Sequence, residues 1–201
     1  GNFASASLIR KMILESNSLI HNFMPSSSLE TLKEEIQNLS APSNIKYAER
    51  AILSKWRSIT RDEIALLPDI SEGLENRIYQ AIKQSTTIDE LYKAIKTKRY
   101  TLARIRRIIL SAFLGIQKSD SKVLPLYIRV LGMNDRGKEI LHLAKKTASL
   151  PIITKTSKIN LLSDQAKNMF NLEIQASDLY SMFLPQLDKS NLDLIKSPIV
   201  I

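Results

Sequence analysis

The chain has 201 residues, 44% of them hydrophobic and 24% charged, enough to bury a core and too apolar for a disordered tail or a fibrous protein. Lys and Arg number 29 against 20 Asp and Glu, giving a net charge of +9 and a pI near 9.7, a balance that points to nucleic acid or an anionic surface as partner. With no cysteine and only His21 and His142, disulfides, thiolate chemistry and a His-based metal cluster are excluded, and no metal site is expected. No window is apolar enough to span a membrane, and GNFASASLIRKM lacks the features of a secretory signal. A cytoplasmic home fits the lack of cysteine.

In chain order, Ser7 is expected to cap a helix running to Glu15, with Leu8, Met12 and Ile13 on one face. Ser27 and Glu30 form a capping-box pattern before Leu29, Leu32 and Ile36. After a break around Pro42, the spacing of Tyr47, Ala51, Ile52 and Trp56 predicts a helix with Trp56 as a core anchor. Thr60 with Glu63, and Thr87 with Glu90, open two more helices. Ser71 opens a third, carrying Leu74, Ile78 and Ile82 inward. The clearest helix runs from Thr101 to Ile116, its stripe made of Leu102, Ile105, Ile109, Ala112 and Phe113, with Gly115 near its stop.

Beyond Gln117 the texture changes. Leu124 to Met133 reads as a strand region, Asn134 caps a helix to Lys146, and Pro151 to Thr154 reads as a second strand, together a small βαβ unit. Helices are expected over 164–170 and 177–183, and a final strand over 197–201. The fold class is therefore mainly α: a helical bundle followed by a small mixed α/β region, with the boundary in the polar stretch 117–122.

The strongest chemical signal is KAIKTKRYTLARIRR, residues 93–107. It holds Lys93, Lys96, Lys98, Arg99, Arg104, Arg106 and Arg107 and no acid. Such a concentration of like charge calls for an anion. A phosphate backbone supplies it, with arginines offering bidentate contacts and Tyr100 a stacking surface for a base. The competing reading is a solvated basic face, although the helix dipole accounts only for Lys93 and Lys96. The segment LPDISEGLENRI, 67–78, has the outline of half a helix-hairpin-helix. Ser71 stands where a turn glycine is usual, and Asp69, Glu72 and Glu75 would repel phosphate, so a plain helix–turn–helix unit with Gly73 allowing close packing is favoured. Asp62, Glu63 and the other carboxylates sit at helix starts, where capping explains them better than catalysis. His142, between Leu141 and Leu143, reads as a structural histidine.

Four strings then resemble the carboxyl-terminal part of the bacterial tRNA(Met) cytidine acetate ligase family: SEGLENRI (71–78), IKTKRYTLARIRRIILSAFLGI (95–116), YIRVLGMNDRGKEIL (127–141) and LPIITK (150–155). The resemblance implies an enzyme that activates acetate with ATP as acetyl-adenylate and acetylates the wobble cytidine of elongator tRNA(Met). The start, ASASLIR (4–10), is similar to the ISSTxIR motif of adenylyl-transferring α/β enzymes. That similarity makes Ser5, Ser7 and Arg10 candidates for the ATP phosphates, with Ser7 as a simple cap equally open. The family's HxGH-type signature is missing. The expectation is accordingly a fragment: residues 1–20 closing the nucleotidyl-transferase domain, 21–118 a helical basic tRNA-binding region, and 119–201 a small α/β region. Catalysis, and any cofactor beyond the ATP of the full-length enzyme, are not expected of the fragment itself; tRNA is its expected partner, with neither DNA nor membrane. The alternative is a non-catalytic helical interaction domain that meets an acidic protein.

Overall fold

The computed structural model describes residues 4–201, which form two compact units: residues up to 48 with 180–188, and 49–179 with 189–201.

In the first unit, α1 (Ala6–Leu14) starts where the Ser5 hydroxyl accepts the Leu8 N–H at 3.2 Å, so the cap lies two residues before the expected Ser7. A 3-10 turn over Ser18–Asn22 follows, the Asn17 side-chain oxygen accepting the Leu19 N–H at 2.9 Å. The helix α2 (Ser26–Gln37) begins directly after Pro25 without a side-chain cap. The box expected from Ser27 and Glu30 does not form, because Ser27 already lies inside the helix. The returning segment is tied in by the Asn44 N–H donating to the Phe183 carbonyl at 2.7 Å and the Gln186 N–H to that of Leu39 at 3.3 Å.

The second unit opens with a five-helix bundle: α3 (Glu49–Ser58), α4 (Arg61–Ala65), α5 (Leu74–Gln84), α6 (Ile88–Ile95) and α7 (Leu102–Leu114). The helix α3 packs on α5 and α7, α5 on α4 and α6, and α6 on α7. Ile52, Ile64, Leu74, Ile78, Leu91 and Ile105 are among the fully buried side chains, each contributing on the order of 2 kcal/mol of transfer free energy. Trp56 anchors the core as expected, its indole N–H donating to the Ile109 carbonyl at 3.2 Å, so no polar atom is stranded by its burial. Thr60 and Glu63 form a complete capping box, Thr101 caps α7, and Gly115 ends it at φ +76°. Thr87 caps α6, but the Glu90 carboxylate turns to the N–H and hydroxyl of Thr86. A further amide at the start of α6, that of Ile88, is satisfied by the Glu49 carboxylate at 2.8 Å.

The chain then runs through β1 (Ile128–Arg129), β2 (Gly132–Met133), α8 (Asp135–Thr147) and β3 (Ile152–Ile153). After these come α9 (Asp164–Tyr180), α10 (Leu192–Ile195) and β4 (Ile199–Val200). β1 pairs with β3 in parallel, Ile128 opposite Ile152, so the expected βαβ connection through α8 is present. β2 pairs with β4, also in parallel, Gly132 opposite Ile199. Tyr127, Ile153, Leu162, Ala166, Phe170 and Ile174 form a small core of their own. The two helices expected over 164–170 and 177–183 are one continuous helix, α9, with a 3-10 turn at Ser181–Phe183, since nothing in NLEIQA (171–176) breaks a helix.

The fold is thus helical with a small parallel sheet region. The boundary expected at 118–119 falls inside the second unit, where the Lys118 N–H donates to the Leu66 carbonyl at 2.9 Å; that expected at 20–21 falls inside the first. Among the described residues no helix is long and apolar enough to cross a membrane.

Candidate functional site

The basic run closes α6, crosses a short loop and opens α7, as its spacing predicts. Its arginines, however, are largely engaged within the protein. Arg104 donates through Nε and Nη2 to the Asp69 carbonyl at 2.9 and 2.6 Å, and through Nη2 to the Ser71 hydroxyl at 2.7 Å. Arg107 Nε bonds the Asp69 carboxylate at 2.8 Å, and Arg99 pairs with Glu72. Tyr100 is buried, its hydroxyl directed to the Glu72 carbonyl at 3.4 Å, and the guanidinium groups of Arg99 and Arg104 lie 5.8 and 5.4 Å from its ring centroid. Tyr100 is therefore a packing residue, and its expected role as a stacking surface for a base is corrected by its burial.

The backbone of the 67–73 turn explains this arrangement. Asp69, Glu72 and Gly73 adopt φ of +63°, +58° and +79°. A left-handed conformation costs a non-glycine residue roughly 1–2 kcal/mol, so contacts that hold the turn must offset that cost. Arg104, Arg107, Arg99 and Tyr100 provide them. Ser71 does not open α5; Gly73 does, and the nearest atom to a Cβ placed there would be Asn76 Nδ2 at 3.9 Å. The glycine thus serves the turn conformation, not close helix packing. Nor do Asp69 and Glu72 stand as free repellents of an anion, since each carboxylate is ion-paired.

Lys93, Lys96, Lys98 and Arg106 remain exposed. Lys96 and Lys98 make no ion pair among the described residues, and Arg106 lies 5.8 Å from the Tyr92 ring centroid. The outward charge of the run is carried by these four. One residue that sequence reasoning passed over is Arg77 on α5, which donates to the carbonyls of Ile95 at 2.8 Å and Ala94 at 2.6 Å and so completes the carboxyl end of α6. No local signal marks it, because its partners lie 17 and 18 residues away.

Ser5, Ser7 and Arg10 are all exposed at the start of α1, whose first turn carries no acid. Free amides, two hydroxyls and a cation with no carboxylate beside them are a donor set suited to phosphate oxygens. Hydrogen bonds from the Thr60 amide and hydroxyl hold Glu63 below the usual carboxylate range, and those from Thr86 do the same for Glu90; both act as helix caps. His142 is exposed, not the structural histidine expected from its leucine neighbours, and His21 Nδ1 lies 2.6 Å from the Ser18 carbonyl. Among the described residues no group of His, Asp and Glu could hold a metal ion.

The chain is similar to known proteins. A family model described as HIGH nucleotidyl transferase matches residues 1–193. The chain is 37% identical over 98% of its length to the tRNA(Met) cytidine acetate ligase of Alkaliphilus metalliredigens, and 35% identical over its whole length to that of Thermosipho africanus. It covers 49% and 52% of those proteins, so it spans about half the length of the curated relatives it matches. Crystal structures of Thermotoga maritima TmcAL superpose over the whole chain. The form bound with alpha-thio ATP gives a TM-score of 0.90 at 30% identity and the apo form 0.91 at 29%, the chain covering 52% and 51% of them. The match over residues 1–193 overturns the expectation of a region lying outside the nucleotidyl-transferase assignment and confined to binding tRNA, and with it the alternative of a non-catalytic interaction domain. The expectation that the fragment by itself takes no cofactor is undercut by the same match and by the ATP analogue bound in the Thermotoga maritima structure.

Proposed function

We propose, from the premise that the chain belongs to the HIGH nucleotidyl transferase family, that it serves an ATP-dependent ligase reaction with tRNA as substrate, as its tRNA(Met) cytidine acetate ligase relatives are named for. The observation that carries this reading is the 37% identity over 98% of the chain, alongside a family match reaching from residue 1 to 193. The chemistry is two displacements. The acetate carboxylate attacks the α-phosphorus of ATP and releases pyrophosphate; the exocyclic amine of the wobble cytidine of elongator tRNA(Met) then takes the acetyl group, releasing AMP and a proton.

In this reading Ser5, Ser7 and Arg10 meet the ATP phosphates, which is supported by their exposure at a helix start free of acids. Lys93, Lys96, Lys98 and Arg106 meet tRNA phosphates, while Arg99, Arg104 and Arg107 hold the adjoining turn in shape. The reaction belongs to the cytoplasm, where ATP and tRNA are found together. The test is formation of acetylcytidine in tRNA(Met), detected by mass spectrometry of nucleosides, with release of AMP. Product that requires ATP, acetate and tRNA together, and that falls when Arg10 is replaced by Gln, is the expected result. Acetylation of the tRNA without ATP consumption, or none under any combination, would overturn it.

A further inference from the structure

We infer that the second unit carries an anion-binding trough for a nucleotide phosphate at the point where the extended segment 128–133 exchanges one parallel partner for another. The inference is independent of the reading given for the basic run and for Ser5, Ser7 and Arg10. The segment bonds β3 through β1, the Val130 N–H donating to the Ile153 carbonyl at 2.9 Å. It bonds β4 through β2, the Leu131 carbonyl accepting the Ile199 N–H at 3.0 Å. At this changeover, beyond the carboxyl ends of β1 and β3, two cavities of about 180 and 380 Å³ adjoin, sharing Thr154, Lys155, Ser197 and Pro198 in their walls. Crevices beyond the carboxyl ends of parallel strands are where such sheets bind ligands, and the two cavities together fall within the usual size of a small-molecule site.

The charge of the lining is one-sided. Arg129, Lys155 and Lys196 border the smaller cavity, and Lys138 and Lys145 the larger. Among the described residues, Asp193 is the one carboxylate lining either. It already accepts from Arg129 Nη1 at 2.9 Å and from the Ser177 hydroxyl at 3.0 Å. Lys138 is paired with Asp135, whereas Lys145, Lys155 and Lys196 are exposed. Thr154 and Ser197, both hydroxyl-bearing residues, line both cavities. Lys145 and Lys155 make no ion pair among the described residues, and Lys196 shares the Asp193 carboxylate with Arg129. This excess of positive charge calls for more than one negative charge; a phosphate monoester carries it on one group and an RNA strand on successive phosphates, and a single carboxylate does not. Val130, Leu131, Ile153 and Ile199 give the smaller cavity an apolar wall suited to a flat ring. A phosphate held by ammonium and hydroxyl donors, with a ring laid on aliphatic side chains, describes a nucleotide, either free or as part of an RNA strand.

The test is an amide chemical-shift titration of the chain with CMP, with a trinucleotide RNA, with inorganic phosphate and with a Glu-rich peptide. CMP or the trinucleotide should shift Thr154, Lys155 and Ser197, and the Lys155→Gln, Lys196→Gln double variant should weaken that binding about tenfold or more, the loss expected for two charge-assisted contacts. Its melting temperature should be unchanged, since both side chains are exposed. CMP binding at least as tight as the trinucleotide identifies the source as a free nucleotide, and much tighter trinucleotide binding identifies an RNA strand. The inference is overturned if no nucleotide shifts these amides, if the double variant binds as the parent does, or if the acidic peptide binds as tightly as the nucleotides.

Discussion

Replacing Arg104 by Gln separates holding the 67–73 turn from facing a ligand. The guanidinium makes two bonds to the Asp69 carbonyl and one to the Ser71 hydroxyl, all between 2.6 and 2.9 Å. A hydrogen bond from a charged donor is worth about 1.5–3 kcal/mol, and partial exposure here reduces the three together to about 1–2 kcal/mol. Glutamine is too short to restore them, and Asp69 must then hold its left-handed conformation with Arg107 alone. For a chain of this size the loss lowers the melting temperature by about 2–8 °C. Circular dichroism at 222 nm on heating, with urea midpoints as a second measure, gives the value. Arg107→Gln shares the partner Asp69, so the double variant should lose less than the two single losses added. An Arg104→Gln protein melting within about 1 °C of the parent would refute a turn-holding role.

The lysines should behave oppositely. A Lys96→Gln, Lys98→Gln double variant is expected to melt as the parent does while reducing the salt slope of tRNA binding by about 1.4–1.8, the share of two lost phosphate contacts; titration at several salt concentrations reads this, and an unchanged slope removes both residues from the interface. The Arg129–Asp193 pair gives a pH prediction. The hydrogen bond from Arg129 holds the Asp193 carboxyl below its ordinary value despite burial, and that from Ser177 adds to the effect. A depressed folded-state value stabilises the protein above the unfolded pKa of about 3.9, and that contribution fades as pH falls through the folded value. The stability difference between the parent and Asp193→Asn should therefore be largest near neutrality and shrink below about pH 4, as measured by urea unfolding at stepped pH; a difference constant with pH would contradict the linkage.

What could be read from the sequence was local. Thr60 with Glu63, Thr101, Asn134 and Gly115 announce helix ends because cap and partner lie within three or four residues, and the structure places a helix boundary at each. The helical spacing of apolar residues around Trp56 and Ile105 locates the bundle core for the same reason. The contacts that shape the candidate site are of another kind. Arg104 meets a carbonyl 35 residues away, Arg107 a carboxylate 38 away, and Glu49 caps a helix start 39 away. Ser71 reads as the start of α5 because a cap is recognised by its hydroxyl, whereas the left-handed backbone of Gly73 is what opens the helix.

The same contrast accounts for why the density of positive charge was legible and its division was not. Arg77, Arg104 and Arg129 each place two guanidinium nitrogens on carbonyl or carboxylate oxygens of another segment. Lys96, Lys98 and Lys155 are exposed and make no ion pair among the described residues. The chemistry of the two side chains predicts this division. A guanidinium is planar, weakly hydrated and offers five donors in a fixed fork, so it loses little on leaving water and gains several bonds at once. An ammonium is compact and strongly hydrated, and keeps its solvent unless a comparable anion replaces it. Counting Lys and Arg together finds where positive charge is concentrated, but the lysines mark where that charge stays available to a phosphate. On that criterion the loop between α6 and α7 and the trough at the changeover from β1 to β2 present the same exposed cation chemistry, and the salt titration and the nucleotide titration examine it at two separate places in one unit.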